Sequence, residues 1–201
     1  MNYLLKLSQK QFLAKAISVI FLPPVVSLFL FIIFAFYSPV ELGTPPIYSL
    51  FVGITFFTIL PLLTLVMLAR SHGPTFTVPR SSRLPSYTIV FCEYVIGTLI
   101  FYLGNVATLF VIGLIYITII ATLMVINLFW KISVHAAGIS GPAIFCLYIF
   151  GPVTIWTVPL IVFVILVIWA RFHLQAHTFS QLVGGMLIAS IMTLLISILS
   201  F

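Results

Sequence analysis

The chain has 201 residues, of which 63% are hydrophobic and 5% charged, with a formal net charge of +6. A soluble domain carries roughly 25% charged residues to keep its surface wetted, so this composition, with a mean hydropathy of +1.37, excludes a water-soluble fold. At about 20 apolar residues per crossing, the length predicts an all-α bundle of some six or seven transmembrane helices, with no room for a separate soluble domain.

Lys6, Lys10 and Lys15 precede the first apolar run, 17–37. That run is too long for a signal peptide and lacks a small-residue cleavage site, so it reads as a retained anchor helix. Further runs at 47–69, 87–102, 106–128, 136–150, 153–170 and 179–200 read as helices. Pro23, Pro24 and Pro61 fall inside runs and predict kinks rather than ends, which neighbouring membrane helices tolerate. The run 136–150 is short and has Gly138, Gly141 and Pro142 near its start, so it is expected to be tilted, broken at its N-terminus or buried among the others. Cys92 and Cys146 lie in apolar runs without metal-ligand or disulfide-framework spacing.

Two crossings separate the N-terminal tail from the polar, Pro-rich connection 71–86, two more separate that from 130–135, and two more lead to 171–177. All eight Lys and Arg (Lys6, Lys10, Lys15, Arg70, Arg80, Arg83, Lys131 and Arg171) then fall on one face. The positive-inside bias makes that face cytoplasmic, places the N-terminus there and puts the C-terminus outside. The tail lysines suit contact with anionic lipid headgroups. Of the two carboxylates, Glu41 falls in an opposite loop and Glu93 inside the third helix.

Three polar segments on the charged face group chemistry-bearing residues: Arg80-Ser81-Ser82-Arg83-Leu84-Pro85, then Lys131-Ile132-Ser133-Val134-His135, then Arg171 with His177 and Gln181. Arginine forks bind phosphate bidentately and stay charged when partly desolvated. An imidazole can attack phosphorus, and a second can protonate a leaving group near neutral pH. A helix beginning after Ser133 would add free N–H groups to an anion site.

These segments resemble, in order, the three signature motifs of the type 2 phosphatidic acid phosphatase superfamily, integral-membrane lipid phosphatases related to vanadium haloperoxidases. The first motif, Lys or Arg followed by Arg-Pro, is approximated by Arg83-Leu84-Pro85, with Arg80 as a leading base at shorter spacing. The second, Pro-Ser-Gly-His, is matched by Ser133-Val134-His135 without its Pro and Gly. The third, Ser-Arg, five residues, His, three residues, Asp, is matched in spacing by Ala170-Arg171, His177 and Gln181, with Gly185 at a following glycine. Ala170 stands for Ser and Gln181 for Asp. The resemblance divides the chain into a tail with two helices, 1–79, and a core, 80–201.

The resemblance implies a phosphatase acting on a lipid-linked phosphate or diphosphate at the headgroup level. Arg83, Arg171 and Ser133 would hold the phosphate, with Arg80 and Lys131 as further cations. His177 would be the nucleophile, His135 the acid, and Gln181 would stand where an Asp orients the nucleophile. The scheme requires no metal or cofactor, and its partners are the lipid substrate and membrane lipids rather than nucleic acid. An amide at the orienting position accepts a hydrogen bond but supplies no charge, so two alternatives stay open: a prenyl or phospho-lipid transferase or cyclase, or a non-catalytic lipid-phosphate binding or transport protein.

Several residues also admit plainer roles. The arginines suit ordinary interface positions, His173 and His177 at helical spacing suit a metal, Ser133 suits a helix cap, and the glycines suit close helix packing. Glu93 is expected either to neutralise Arg83 or another buried arginine, or to orient His177 or His135.

Overall fold

The computed structural model describes residues 8–37, 45–72 and 83–201, with the side chains of 71 and 72 excepted. Lys6, Glu41 and Arg80 lie outside the described residues. Everything described is helical or connecting, with no strand. Backbone groups in lipid must be satisfied within their own segment, and an α-helix does this.

Helix α1 (Gln9–Ile20) opens on a capping box, Ser8 with Gln11, and stops short of Pro23, where α2 (Pro23–Tyr37) begins. Pro23 has no N–H to give, and the residue before a proline is driven out of the α region. The two helices are bent by 52° at this break. Pro23 and Pro24 therefore end one helix and open another, instead of kinking a single one. The Leu22 N–H turns to the Val19 carbonyl (3.3 Å), which leaves the Ser18 carbonyl for a partner outside the helix.

Pro61 acts differently. Helix α3 (Pro46–Ile54) runs through a π turn at Thr55–Ile59 into α4 (Leu60–His72) without interruption. Pro61 cannot donate to the Phe57 carbonyl one turn back, and the hydroxyl of Ser27 on α2 donates to it instead. The kink is absorbed, and Pro46–Arg70 remains one candidate span.

Helices α5 (Arg83–Leu103), α6 (Ala107–Asn127), α7 (Val134–Phe150), α8 (Thr157–His173) and α9 (Phe179–Ser200) follow. Ser133 caps α7, its hydroxyl accepting from the Ala136 N–H at 3.3 Å. Helix α7 is continuous through Pro142 and largely buried. It packs against α9 through small residues: a Cβ on Gly185 would meet the Ser133 carbonyl oxygen at 2.5 Å, and one on Gly141 would lie 3.3 Å from the Thr193 hydroxyl and only 2.8 Å from Ile119 of α6. Such approach is what joins helices in lipid, where hydrophobic burial between them contributes little. Helix α2 runs alongside α7, with Pro23 against Gly138 and Phe34 against Phe145 and Phe150. A buried aromatic cluster ties α2, the π turn and α5 together, with Phe57 stacked on Tyr94 at 5.0 Å and close to Phe31; each such pair adds about 0.5–1.5 kcal/mol beyond its area.

The protein is an all-helical integral membrane bundle. Among the described residues four helices are long and apolar enough to cross a bilayer, Pro46–Arg70, Arg83–Leu103, Ala107–Asn127 and Phe179–Ser200, and the bent pair α1 and α2 makes a fifth if counted as one broken span. The sequence leads one to expect six or seven crossings. Helices α7 and α8, at 17 residues each, are about 25 Å long, short of the roughly 30 Å hydrocarbon core.

Candidate active site

The starts of α5, α7 and α9 and the end of α8 meet at one end of the bundle, around a cavity of about 260 Å³. Its polar side carries Arg83, His135, Arg171 and His177; its remaining wall is mostly apolar, with Leu22, Pro23 and Pro24 from the α1–α2 break and Pro61, Leu65 and Leu68 from α4. Four residues from three distant chain segments thus share one chamber.

Backbone bonds lock these segments together. The Ser133 N–H donates to the Gln181 carbonyl (3.3 Å) and the Ala176 N–H to the Arg171 carbonyl (3.1 Å). The Lys131 ammonium donates to the Ala176 carbonyl at 3.0 Å, and the Arg83 guanidinium to the Ile132 carbonyl at 3.4 Å. The connection 128–133 is therefore held between the first arginine and the α8–α9 turn. Val134 and His135, in the first turn of α7, line the cavity, and the N–H groups of a first turn have no partner within their own helix.

The electrostatics of the chamber are one-sided. Arg83 is 7% exposed, Arg171 4% and His177 6%, and no carboxylate among the described residues lines the cavity. The Arg171 Nε is buried without a hydrogen-bond partner among the described residues. A buried cation left this way is costly unless an anion arrives. The Lys131 ammonium is pushed below its usual range by burial and then by Arg83 and Arg171. His177 is pushed down to about 3, chiefly by burial, then by Arg171 and Arg83, with a smaller contribution from Lys131 and an opposing one from Gln181. It is neutral at physiological pH.

Its tautomer follows from its neighbour. Thr178 caps α9 in a capping box with Gln181, so the Gln181 Oε1 already accepts the Thr178 N–H at 3.2 Å. That orients the amide. The same oxygen lies 3.1 Å from the His177 Nδ1, and an oxygen that only accepts requires Nδ1 to carry the proton. The lone pair is then on Nε2. His135 is oriented from elsewhere: its Nε2 lies 3.2 Å from the Ser18 carbonyl that the α1–α2 break sets free.

Glu93 is not part of this chamber. Its Oε1 accepts from the Thr64 hydroxyl at 2.8 Å, and its side chain lines a separate groove between α4 and α5. Neither the Arg83 partnership nor the histidine-orienting role read from the sequence describes that placement. His173 is half-buried with its ring stacked on Trp169 at 5.4 Å, and no group of three His, Cys, Asp or Glu side chains stands together among the described residues. Arg80 lies outside the described residues.

Sequence reasoning missed Tyr87 and Ser18. Tyr87 lines the cavity beside the Arg83 guanidinium, one helical turn away, a neighbour that the i, i+4 rule would have found. Ser18 acts through its carbonyl, which no side-chain pattern marks. Compared with known proteins, the chain matches no family model, no curated protein and no solved structure.

Proposed function

We propose that the protein is a membrane-embedded phosphatase that hydrolyses a lipid-linked phosphate or diphosphate through a phosphohistidine intermediate, the chemistry of the superfamily its three motifs resemble. The observation that carries this reading is the single chamber in which Arg83, Arg171, His135 and a neutral His177 face an apolar wall.

In this mechanism the phosphoryl group sits between Arg83, Arg171 and the N-terminus of α7, with Lys131 adding charge. Phosphoryl transfer asks mainly for positioning and for stabilisation of charge on the equatorial oxygens. The Nε2 of His177 attacks phosphorus and the bond to the lipid oxygen breaks. Gln181 Oε1 holds the Nδ1 proton and shares the positive charge that the ring acquires. Doubly protonated His135, a form that the arriving anion stabilises, gives its proton to the departing oxygen. A water molecule then attacks the phosphohistidine, yielding its proton to His135, and inorganic phosphate leaves with His177 neutral again. The apolar wall would take the first part of the lipid chain.

The site belongs to the cytoplasmic face on this reading, because the positive-inside bias applies to all eight Lys and Arg. Gln181 favours a second reading, in which the same pocket serves a transferase or cyclase. Release of inorganic phosphate from a panel of lipid phosphates by purified protein, lost in His177→Ala, tests the phosphatase. Absence of phosphate release with a new lipid product by mass spectrometry would decide for the second reading.

A further inference from the structure

Glu93 stands at the middle of α5, a helix of 21 residues, about 15 Å from either end and so near the midplane of a core roughly 30 Å thick. It looks into a groove of about 420 Å³ between α4 and α5. The groove walls are Leu63 and Met67 on α4 and Ile89 on α5, all exposed on the outside of the bundle. Thr64 satisfies one carboxylate oxygen. The other, Oε2, is buried and has no hydrogen-bond partner among the described residues. The deficit persists in either state of the carboxyl: ionised, Oε2 is an acceptor without a donor, and protonated, it is a donor without an acceptor. An ionisable group at this depth is a functional site by default, and one left half-satisfied is waiting for a partner.

We infer that this groove binds a protonated primary amine carried on an aliphatic chain, with the ammonium at Glu93. An ammonium supplies both the charge and the donor that Oε2 lacks, and Thr64, whose hydroxyl already meets the same carboxylate, is the polar side chain beside it in the groove. The walls named above are aliphatic and offer no aromatic face for a quaternary cation. Leu60 to Leu68 and Pro85 to Glu93 each rise about 12 Å, a groove length that suits a chain lying along it. A second copy of the protein would not complete the site, because the Lys and Arg among the described residues lie in α1, at helix ends or in a connection rather than at midspan. A lone carboxylate is also too few ligands for a metal. Leu68 and Ser86 line this groove and the phosphate cavity alike, so an occupant touches the wall of the other site. The inference needs no phosphate chemistry and stands apart from the proposed activity.

The test is protection of Glu93 from dicyclohexylcarbodiimide, an apolar reagent for intramembrane carboxyls, read as the mass shift of the Glu93 peptide from full-length protein in phospholipid nanodiscs. Glu93 should be labelled in the free protein, and dodecylamine should reduce labelling by about tenfold, one factor of 1.4 kcal/mol, while dodecanol and dodecyltrimethylammonium at equal membrane concentration should not. Met67→Trp, a change at an exposed position that fills the groove, should abolish the protection. No labelling of the free protein, no protection by dodecylamine, equal protection by dodecanol or by the quaternary amine, or undiminished protection in Met67→Trp would each overturn the inference.

Discussion

The side-chain amide oxygen of Gln181, Oε1, is shared between two donors, the Thr178 N–H at 3.2 Å and the His177 Nδ1 at 3.1 Å. The helix cap and the orientation of the imidazole are therefore one structure. Gln181→Glu keeps the reach and the capping box and adds the missing charge, so it should raise the His177 pKa from about 3 and speed phosphohistidine formation. Histidine NMR titration and rapid-quench kinetics measure the two effects. Gln181→Leu should instead reduce turnover by roughly 10²–10⁴-fold, by analogy with loss of tautomer control in a serine-protease triad. Unchanged turnover in the Leu variant would detach Gln181 from the chemistry.

His177→Ala should abolish turnover, and the unmodified protein should yield an acid-labile phosphoenzyme on rapid quenching. His135→Ala should slow release most for lipids with poor leaving groups. Arg171→Lys should be almost as damaging as Arg171→Ala, because a point charge does not reproduce a bidentate fork. Equal, mild losses in both histidine variants would make the two rings structural.

The depressed His177 pKa sets a pH dependence of stability. The unfolded ring binds its proton near 6.5 and the folded one only near 3, so below about 6.5 the unfolded state takes up more protons. Stability contributed by the neutral ring is thus fully present above pH 6.5 and is lost as pH falls toward 3. Thermal unfolding in detergent should show this acid slope, and His177→Gln should flatten it. Inorganic phosphate should raise the folded pKa and be bound with proton uptake; an identical pH slope in the Gln variant would assign the effect to another group.

Gly185→Ala places a Cβ 2.5 Å from the Ser133 carbonyl oxygen, a backbone atom that cannot move aside. It should push α9 away from the second motif, costing about 1–3 kcal/mol as overpacking does and reducing activity. Gly184→Ala meets only the ring of the partly exposed Trp130 and should be milder. Thermal stability and turnover of the two variants, measured side by side, check the order.

A reporter fused after Phe201 should be active only on the outer side. Helices α7 and α8 leave the parity unchanged if both cross or neither does, and the outcome then depends on the α1–α2 break. A cytoplasmic signal would mean that this bent pair enters and leaves by the same face, or that only one of α7 and α8 crosses.

Composition and hydropathy were enough to establish the membrane bundle, because an apolar run of bilayer length has no stable alternative to a helix in lipid. Local spacing was also enough to group Arg171, His177 and Gln181, since a turn and the first residues of one helix fix their separation. The same information did not give the role of Glu93, the carbonyl of Ser18 or the break at Pro23. Helices in lipid are apolar on every face, so periodicity does not reveal which face meets a neighbour. Pro23-Pro24 and Pro61 look alike in sequence. The first pair breaks its helix and exposes a carbonyl to His135, whereas the second is accommodated because Ser27 of α2 reaches the freed carbonyl of Phe57. Only the packing of one helix on another decides between those outcomes, and the same packing turns Glu93 toward Thr64 and away from the histidines.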